Sequence, residues 1–67
     1  MEQTIKVEGM HCKSCELIIT EAILEIEGVQ RAEANSKNGL VHVSYKDAER
    51  LEKIKKAIEN EGYKVIS

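Results

Sequence analysis

The spacing of apolar residues alternates along the chain between the period of a β-strand and that of an α-helix, and this order constrains the fold most. Residues 4–8 alternate polar and apolar side chains, with Ile5 and Val7 on the inner side. The following runs predict a helix, two strands, a second helix and a short strand at residues 63–66. Two helices on one face of a four-stranded antiparallel sheet would bury every apolar stripe. The sequence therefore predicts an α+β sandwich of order βαββαβ.

The first helix is predicted to begin after an N-cap at Ser14 and to end at a left-handed Gly28. Its inward stripe contains Cys15, Ile19, Ala22, Ile23 and Ile26, with Ile18 on the flank. Leu17 and Leu24 fall on the opposite side of the helix. They are either two singly exposed leucines or, in the case of Leu17, part of a surface that docks a partner. The glutamates of this segment, Glu16 among them, face away from the core or lie at its margin.

The Asn38-Gly39 step between two strand-like runs predicts a type I′ hairpin with a two-residue turn. Counting outward from this turn predicts three cross-strand pairs, which are Ser36 with Val41, Ala34 with Val43 and Ala32 with Tyr45. His42 and Ser44 would lie on the opposite face of the hairpin, so His42 is expected to be a solvated strand residue.

The second helix is predicted to follow an N-cap at Asp47 and to end at Gly62. Its inward residues are Leu51, Ile54, Ala57 and Ile58, and its solvated residues are Lys53, Lys55, Lys56 and Glu59.

Length and charge narrow the class of protein. The 67 residues fit a single domain, 1–67, and the interleaved 12 acidic and 10 basic residues argue against nucleic-acid binding. The longest unbroken aliphatic run, Leu17-Ile18-Ile19, is far too short to insert into a membrane. We therefore expect a cytoplasmic location.

Both cysteines lie in the stretch Gly9-Met10-His11-Cys12-Lys13-Ser14-Cys15, which we call the cysteine stretch. Cys15 falls in the first turn of the predicted helix, where the macrodipole favours a thiolate, and Lys13 adds a positive charge. Thiolates are soft ligands that prefer Cu(I) or Zn(II) to Mg(II) or Ca(II). Structural zinc needs four ligands, whereas this chain offers Cys12, Cys15 and at best His11. The sequence therefore predicts an open Cu(I) site with Cys12 and Cys15 as ligands.

The cysteine stretch resembles the GMxCxxC signature of the heavy-metal-associated domain. That family comprises small copper chaperones and the N-terminal metal-binding domains of copper-transporting P-type ATPases. The resemblance extends to the βαββαβ order, to Gly28-Val29 and to Glu61-Gly62-Tyr63. It implies a ferredoxin-like fold in which Cys12 and Cys15 bind Cu(I) near the surface.

The resemblance also implies roles for the neighbours of the two cysteines. Met10 would point into the core under the loop without binding metal. Tyr63 would lie close to the metal, either as a residue that supports the site or as a strand residue that caps the core. We also expect Ser14 to support the loop. Zinc- and cadmium-directed relatives carry an acidic residue where this chain has His11. This difference favours Cu(I), and His11 is either a third ligand that tunes the site or a solvated loop residue.

The function that follows is a non-enzymatic Cu(I) carrier that hands copper to a partner CxxC domain, such as that of a copper-transporting P-type ATPase, by thiolate exchange. The lack of a linker at either end suits a free-standing chaperone. An excised ATPase domain, or a module for Hg(II) or another soft metal, is the alternative. A thiol–disulfide oxidoreductase is disfavoured by the βαββαβ order and by the absence of Trp and Pro. We expect a monomer for the most part, with a metal-bridged dimer as the alternative.

Overall fold

The computed structural model describes residues 1–11 and 13–66, and its elements follow the predicted order. They are β1 (Glu2–Glu8), α1 (Lys13–Leu24), β2 (Val29–Asn35), β3 (Leu40–Tyr45), α2 (Ala48–Asn60) and β4 (Lys64–Val65). Over these residues the strands form one four-stranded sheet of order β2-β3-β1-β4, and every neighbouring pair is antiparallel. The predicted ferredoxin-like βαββαβ fold is confirmed.

The core lies between the two helices and one face of the sheet. Alternate residues of the central strands β1 and β3 point into it, and each helix adds one stripe. Its buried members are Ile5, Val7, Met10, Ile19, Ile23, Val41, Val43, Tyr45, Ile54 and Ile58. Since these side chains form one cluster, both helices cover the same face of the sheet, as predicted.

Helix α1 begins earlier than predicted. It starts at Lys13, so Ser14 lies inside its first turn and the predicted N-cap role of Ser14 is wrong. Leu17 and Leu24 are exposed, as the periodicity requires, and the flanking Ile18 is exposed as well. The inward stripe is confirmed up to the end of the helix.

The end of α1 also differs from the prediction. The helix stops at Leu24, because the amide of Ile26 donates to the carbonyl of Ile23 in a three-residue turn instead of continuing the helical pattern. Gly28 has a φ of 93°, so its left-handed conformation is confirmed, but it belongs to the connection before β2. A Cβ added at Gly28 would lie 2.6 Å from Nε of Arg50 in α2. Any other residue at position 28 would strain the backbone and displace the Arg50 side chain.

The β2–β3 connection is the clearest departure from the sequence prediction. The two strands are joined by residues 36–39, which we call the hairpin turn. Only glycine adopts a positive φ among the described residues, so Asn38 does not take the type I′ conformation and the two-residue turn is wrong. The cause is local side-chain bonding: the amide of Lys37 donates to Oδ1 of Asn35 at 2.9 Å, and the amide of Leu40 donates to Oδ1 of Asn38 at 3.1 Å.

The wider turn moves the register of the hairpin by two residues. Ala34 pairs with Val41 and Ala32 pairs with Val43, so the three predicted pairs are wrong. A shift of two residues leaves each side chain on its original face. The predicted inner and outer faces are therefore correct, and His42 is exposed on the outer face, where its Nδ1 lies 2.9 Å from Oγ1 of Thr4.

Both edges of the sheet are irregular or short. Strand β2 carries a register shift between Val29 and Arg31, typical of a β-bulge. Strand β4 contains only two residues, which pair with Val7 and Glu8 of β1.

Helix α2 begins and ends where the sequence predicts. Asp47 occupies the N-cap with extended backbone angles, although its side chain makes no capping hydrogen bond. At the other end the amide of Gly62 donates to Glu59 O and the amide of Tyr63 donates to Ile58 O, with a φ of 94° at Gly62. These two bonds form a Schellman motif, which directs the chain into Tyr63 and β4.

The described part of the chain, 1–11 and 13–66, contains no helix whose length and apolar character would let it cross a membrane.

Gly28 and Gly62 form a matched pair for testing the contact with Arg50. Their φ angles are 93° and 94°, but nothing lies within 4 Å of a Cβ added at Gly62. Gly62→Ala should therefore show only the backbone strain, about 1–2 kcal/mol. Gly28→Ala should destabilise by up to about 1 kcal/mol more, because the Arg50 side chain must move. Urea denaturation followed by circular dichroism measures both free energies of unfolding, and equal losses would contradict a role for Arg50.

Candidate metal centre

The cysteine stretch connects the end of β1 to the first turn of α1. Gly9 has a φ of 105°, which turns the chain out of β1, and His11 is exposed beyond it. The predicted ligand Cys12 lies outside the described residues. Cys15 is the third residue of α1, half-buried and packed against the hydrophobic core. Its sulfur therefore belongs to the helix turn whose amides lack helical partners, which favours a negatively charged group.

Met10 anchors the cysteine stretch to the protein interior. Its side chain is 6% exposed and belongs to the core cluster. The predicted burial of Met10 is confirmed, and the unbranched thioether side chain suits an irregular gap beneath a loop. The chain on either side of Met10, by contrast, is exposed at Gly9 and His11.

Tyr63 lies beside the first residue of the cysteine stretch. A Cβ added at Gly9 would be 3.3 Å from Cδ1 of Tyr63, so the ring packs directly against Gly9. Tyr63 is half-buried and also contacts the core cluster. The Schellman motif at the end of α2 sets this position. A role for Tyr63 in supporting the metal stays a prediction.

Glu16 connects the cysteine stretch to the hairpin turn. Its Oε2 accepts a hydrogen bond of 2.7 Å from the backbone amide of Ser36. The hydrogen bonds from the amide and hydroxyl of Ser36 lower the pKa of Glu16 below its usual value, with a smaller contribution from the positive charge of Lys13. Sequence patterning groups Glu16 with the solvated glutamates of α1 and so misses this contact, because the two residues are 20 positions apart.

The remaining predicted site residues are exposed. His11 and Ser14 both lie at the surface, and within residues 1–11 and 13–66 no three His, Cys, Asp or Glu side chains are close enough to hold a metal ion together. The assignment of His11 as a third ligand and of Ser14 as a supporting residue both stay predictions.

Comparison with known proteins decides the family. The sequence profile of the heavy-metal-associated domain matches residues 4–64. The chain belongs to the heavy-metal-associated domain family. The match begins within β1, ends within β4 and includes the whole of α1, β2, β3 and α2.

Individual relatives are similar over nearly the whole chain. The copper chaperone CopZ of Staphylococcus aureus is 39% identical over 66 residues, which cover 97% of each chain. A solved CopZ metallochaperone superposes with a TM-score of 0.91 at 38% identity and covers 98% of this chain and 100% of its own. The N-terminal domain of a potential copper-translocating P-type ATPase from Bacillus subtilis, solved in a Cu(I)-loaded state, gives a TM-score of 0.85 at 30% identity, covering 96% and 81%.

Met10 offers a test of how strongly the core holds the cysteine stretch of this heavy-metal-associated domain. Met10→Ala should destabilise the fold by about 2–5 kcal/mol, because it leaves a cavity under the loop. Met10→Leu, which conserves volume, should lose less than about 1.5 kcal/mol. Leu17→Ala is the control, since Leu17 is 64% exposed, and it should change stability by no more than about 0.5 kcal/mol. Chemical denaturation of the metal-free protein provides the comparison, and a Met10→Ala loss as small as that of Leu17→Ala would contradict the anchor.

Glu16 gives the stability of the domain a specific pH dependence. The pKa of Glu16 in the folded state is lowered from 4.5. The carboxylate therefore contributes stability that is fully present above its unfolded-state pKa and is lost as the pH falls through its folded-state pKa. The metal-free protein should therefore exceed Glu16→Gln in free energy of unfolding at neutral pH, and the difference should shrink in acid. Glu21→Gln, on the exposed side of α1, is the control. Urea titrations at a series of pH values would contradict the assignment if the Glu16→Gln difference were constant.

Proposed function

We propose that this heavy-metal-associated domain is a non-enzymatic Cu(I) carrier, in which Cys12 and Cys15 bind copper as thiolates and pass it to a partner. The observation that carries the proposal is the presence of GMxCxxC in a chain that matches a copper chaperone over 97% of both lengths. Residues 1–67 would act as a single domain, in the cytoplasm and mostly as a monomer.

The chemistry of the described residues supports this proposal. Cys15 lies in the first turn of α1, where unpaired amides stabilise a thiolate, and the exposed Lys13 adds positive charge nearby. Two thiolates and one Cu(I) carry a net charge of about -1, which such an environment favours. Cys15 is only half-buried, so an incoming thiolate has a route to the metal.

Transfer of the ion would proceed by exchange of sulfur ligands. A partner thiolate adds to the copper while both sulfurs of the carrier are still bound, and one carrier sulfur then leaves. A second partner thiolate displaces the other sulfur in the same way. Copper stays Cu(I) throughout, so no electrons are exchanged. Each sulfur that leaves takes up a proton, and each entering thiol gives one up.

The partner we propose is the CxxC domain of a copper-transporting P-type ATPase, or another CxxC domain of this kind. The similarity to a Cu(I)-loaded ATPase domain of Bacillus subtilis supports this choice. Two sites that used the same pair of thiolates would bind copper with comparable strength, which would permit exchange in either direction. A copper-bridged dimer of the carrier would use the same thiolate chemistry.

The same similarity supports a second candidate, in which the chain is itself a metal-binding domain of a copper-transporting P-type ATPase. The reading frame that flanks the segment separates the two, because a downstream series of transmembrane helices would identify the ATPase. Hg(II) is the alternative cargo, and competition between Hg(II) and Cu(I) for the reduced chain would rank the two ions.

The cysteines and histidines provide matched variants for a test. Titration of the reduced protein with Cu(I) against a competing chelator should give one tight site, and Cys12→Ser or Cys15→Ser should abolish it. His42→Ala, on the outer face of the sheet, is the control and should bind like the unmodified protein. His11→Ala should weaken binding only if the imidazole is a ligand. Unchanged Cu(I) binding in Cys12→Ser would overturn the proposal.

A further inference from the structure

We infer that the hairpin turn holds both ends of the cysteine stretch in place, and that Glu16 is the positioning residue that joins α1 to this turn. The inference rests on the proposed Cu(I) site and deepens it. It assigns a metal-positioning role to a carboxylate that does not bind metal and that lies outside the GMxCxxC signature.

The hairpin turn first holds the strand that enters the cysteine stretch. The amide of Val7, two residues before Gly9, donates to the carbonyl of Gly39 at 2.7 Å. Gly39 has a φ of 70°, and a Cβ added there would lie 2.9 Å from the carbonyl oxygen of Val7. Only glycine permits so close an approach. The end of β1 is thus fixed against the last residue of the hairpin turn.

The hairpin turn also holds the helix that leaves the cysteine stretch. Oε2 of Glu16, the residue directly after Cys15, accepts the amide hydrogen of Ser36 at 2.7 Å. This bond joins an ionised carboxylate to a half-buried amide, which makes it stronger than a bond between neutral groups. The first turn of α1 is thus fixed against the first residue of the hairpin turn.

The two attachments act together because the hairpin turn is closed on itself. The amide of Gly39 donates to Asn35 O at 3.0 Å, and the amide of Lys37 donates to Oδ1 of Asn35 at 2.9 Å. Hydrogen bonds connect Val7 to Gly39 and Gly39 to Asn35, and the covalent backbone continues from Asn35 to Ser36, which bonds to Glu16. The two attachment points lie on either side of residues 9–15.

Fixing both ends of a short loop reduces the conformational freedom that metal binding must remove. Ligands that are held in place before binding retain a metal ion longer than ligands that must be ordered by it. Glu21, on the exposed side of the same helix, carries the same charge, but its carboxylate makes no hydrogen bond to another residue within residues 1–11 and 13–66. The role thus depends on the hydrogen bond of Glu16 and not on negative charge along α1.

The experiment compares Glu16→Ala, Glu16→Gln and Glu21→Ala with the unmodified protein. Glutamine retains an oxygen that accepts the Ser36 amide, so it separates the hydrogen bond from the charge. Two rates are measured: amide hydrogen exchange of Ser36 in the metal-free protein, and removal of bound Cu(I) by excess chelator. Glu16→Ala should accelerate both by roughly 3- to 10-fold. Glu16→Gln should recover part of the difference, because its neutral oxygen accepts a weaker bond, and Glu21→Ala should match the unmodified protein.

Several results would overturn the inference. Equal acceleration in Glu16→Ala and Glu16→Gln would assign the effect to charge, and unmodified rates in Glu16→Ala would remove the role of Glu16 altogether. An unmodified protein that binds no Cu(I) would overturn the proposed function. The hydrogen bond between Glu16 and Ser36 is tested separately, by amide exchange in the metal-free protein. Should Glu16→Ala prove too unstable to measure, a Glu16→Gln protein that folds fully but releases Cu(I) more than roughly 10-fold faster than the unmodified protein would also count against the inference.

Discussion

A small aliphatic core is the constraint on which the rest of this protein depends. The chain has no Phe or Trp, so the interior is built from branched side chains, chiefly isoleucine and valine, whose χ1 angles have few alternatives. Ile19, Ile23, Ile54 and Ile58 are completely buried between the helices and the sheet. Met10 completes this interior from the loop side. The cysteine stretch therefore rests on a closely packed surface, while Gly9, His11, Lys13 and Ser14 stay exposed.

Most of the fold could be predicted because each helix and strand carries its own periodic pattern. The inner faces of β1, β3 and α2 follow from alternation and from the 3.6-residue repeat without knowledge of the tertiary structure. The hairpin register could not be predicted from Asn38-Gly39 alone, because the side chains of Asn35 and Asn38 bind nearby amides and stabilise a wider turn. The resulting shift of two residues preserved the faces, so an error in pairing did not become an error in burial.

The candidate site was predictable to a different extent at each residue. The helical position of Cys15 and the burial of Met10 follow from local pattern and from the family signature. The contact of Tyr63 with Gly9 depends on how the end of α2 returns to β1, and only the family resemblance pointed to that position. The bond between Glu16 and Ser36 has no sequence signal, because it joins a helix to a turn 20 positions away.

The outer strands of the sheet bear on how such a carrier meets a protein of its own fold. Strand β4 offers only two residues and β2 is interrupted by a bulge, so neither presents a long straight row of unpaired amides and carbonyls. If two copies of this fold met edge to edge, they would have few unpaired backbone amides and carbonyls with which to form one continuous sheet. Encounters between them can consequently remain brief, which would suit the proposed release of copper to a partner.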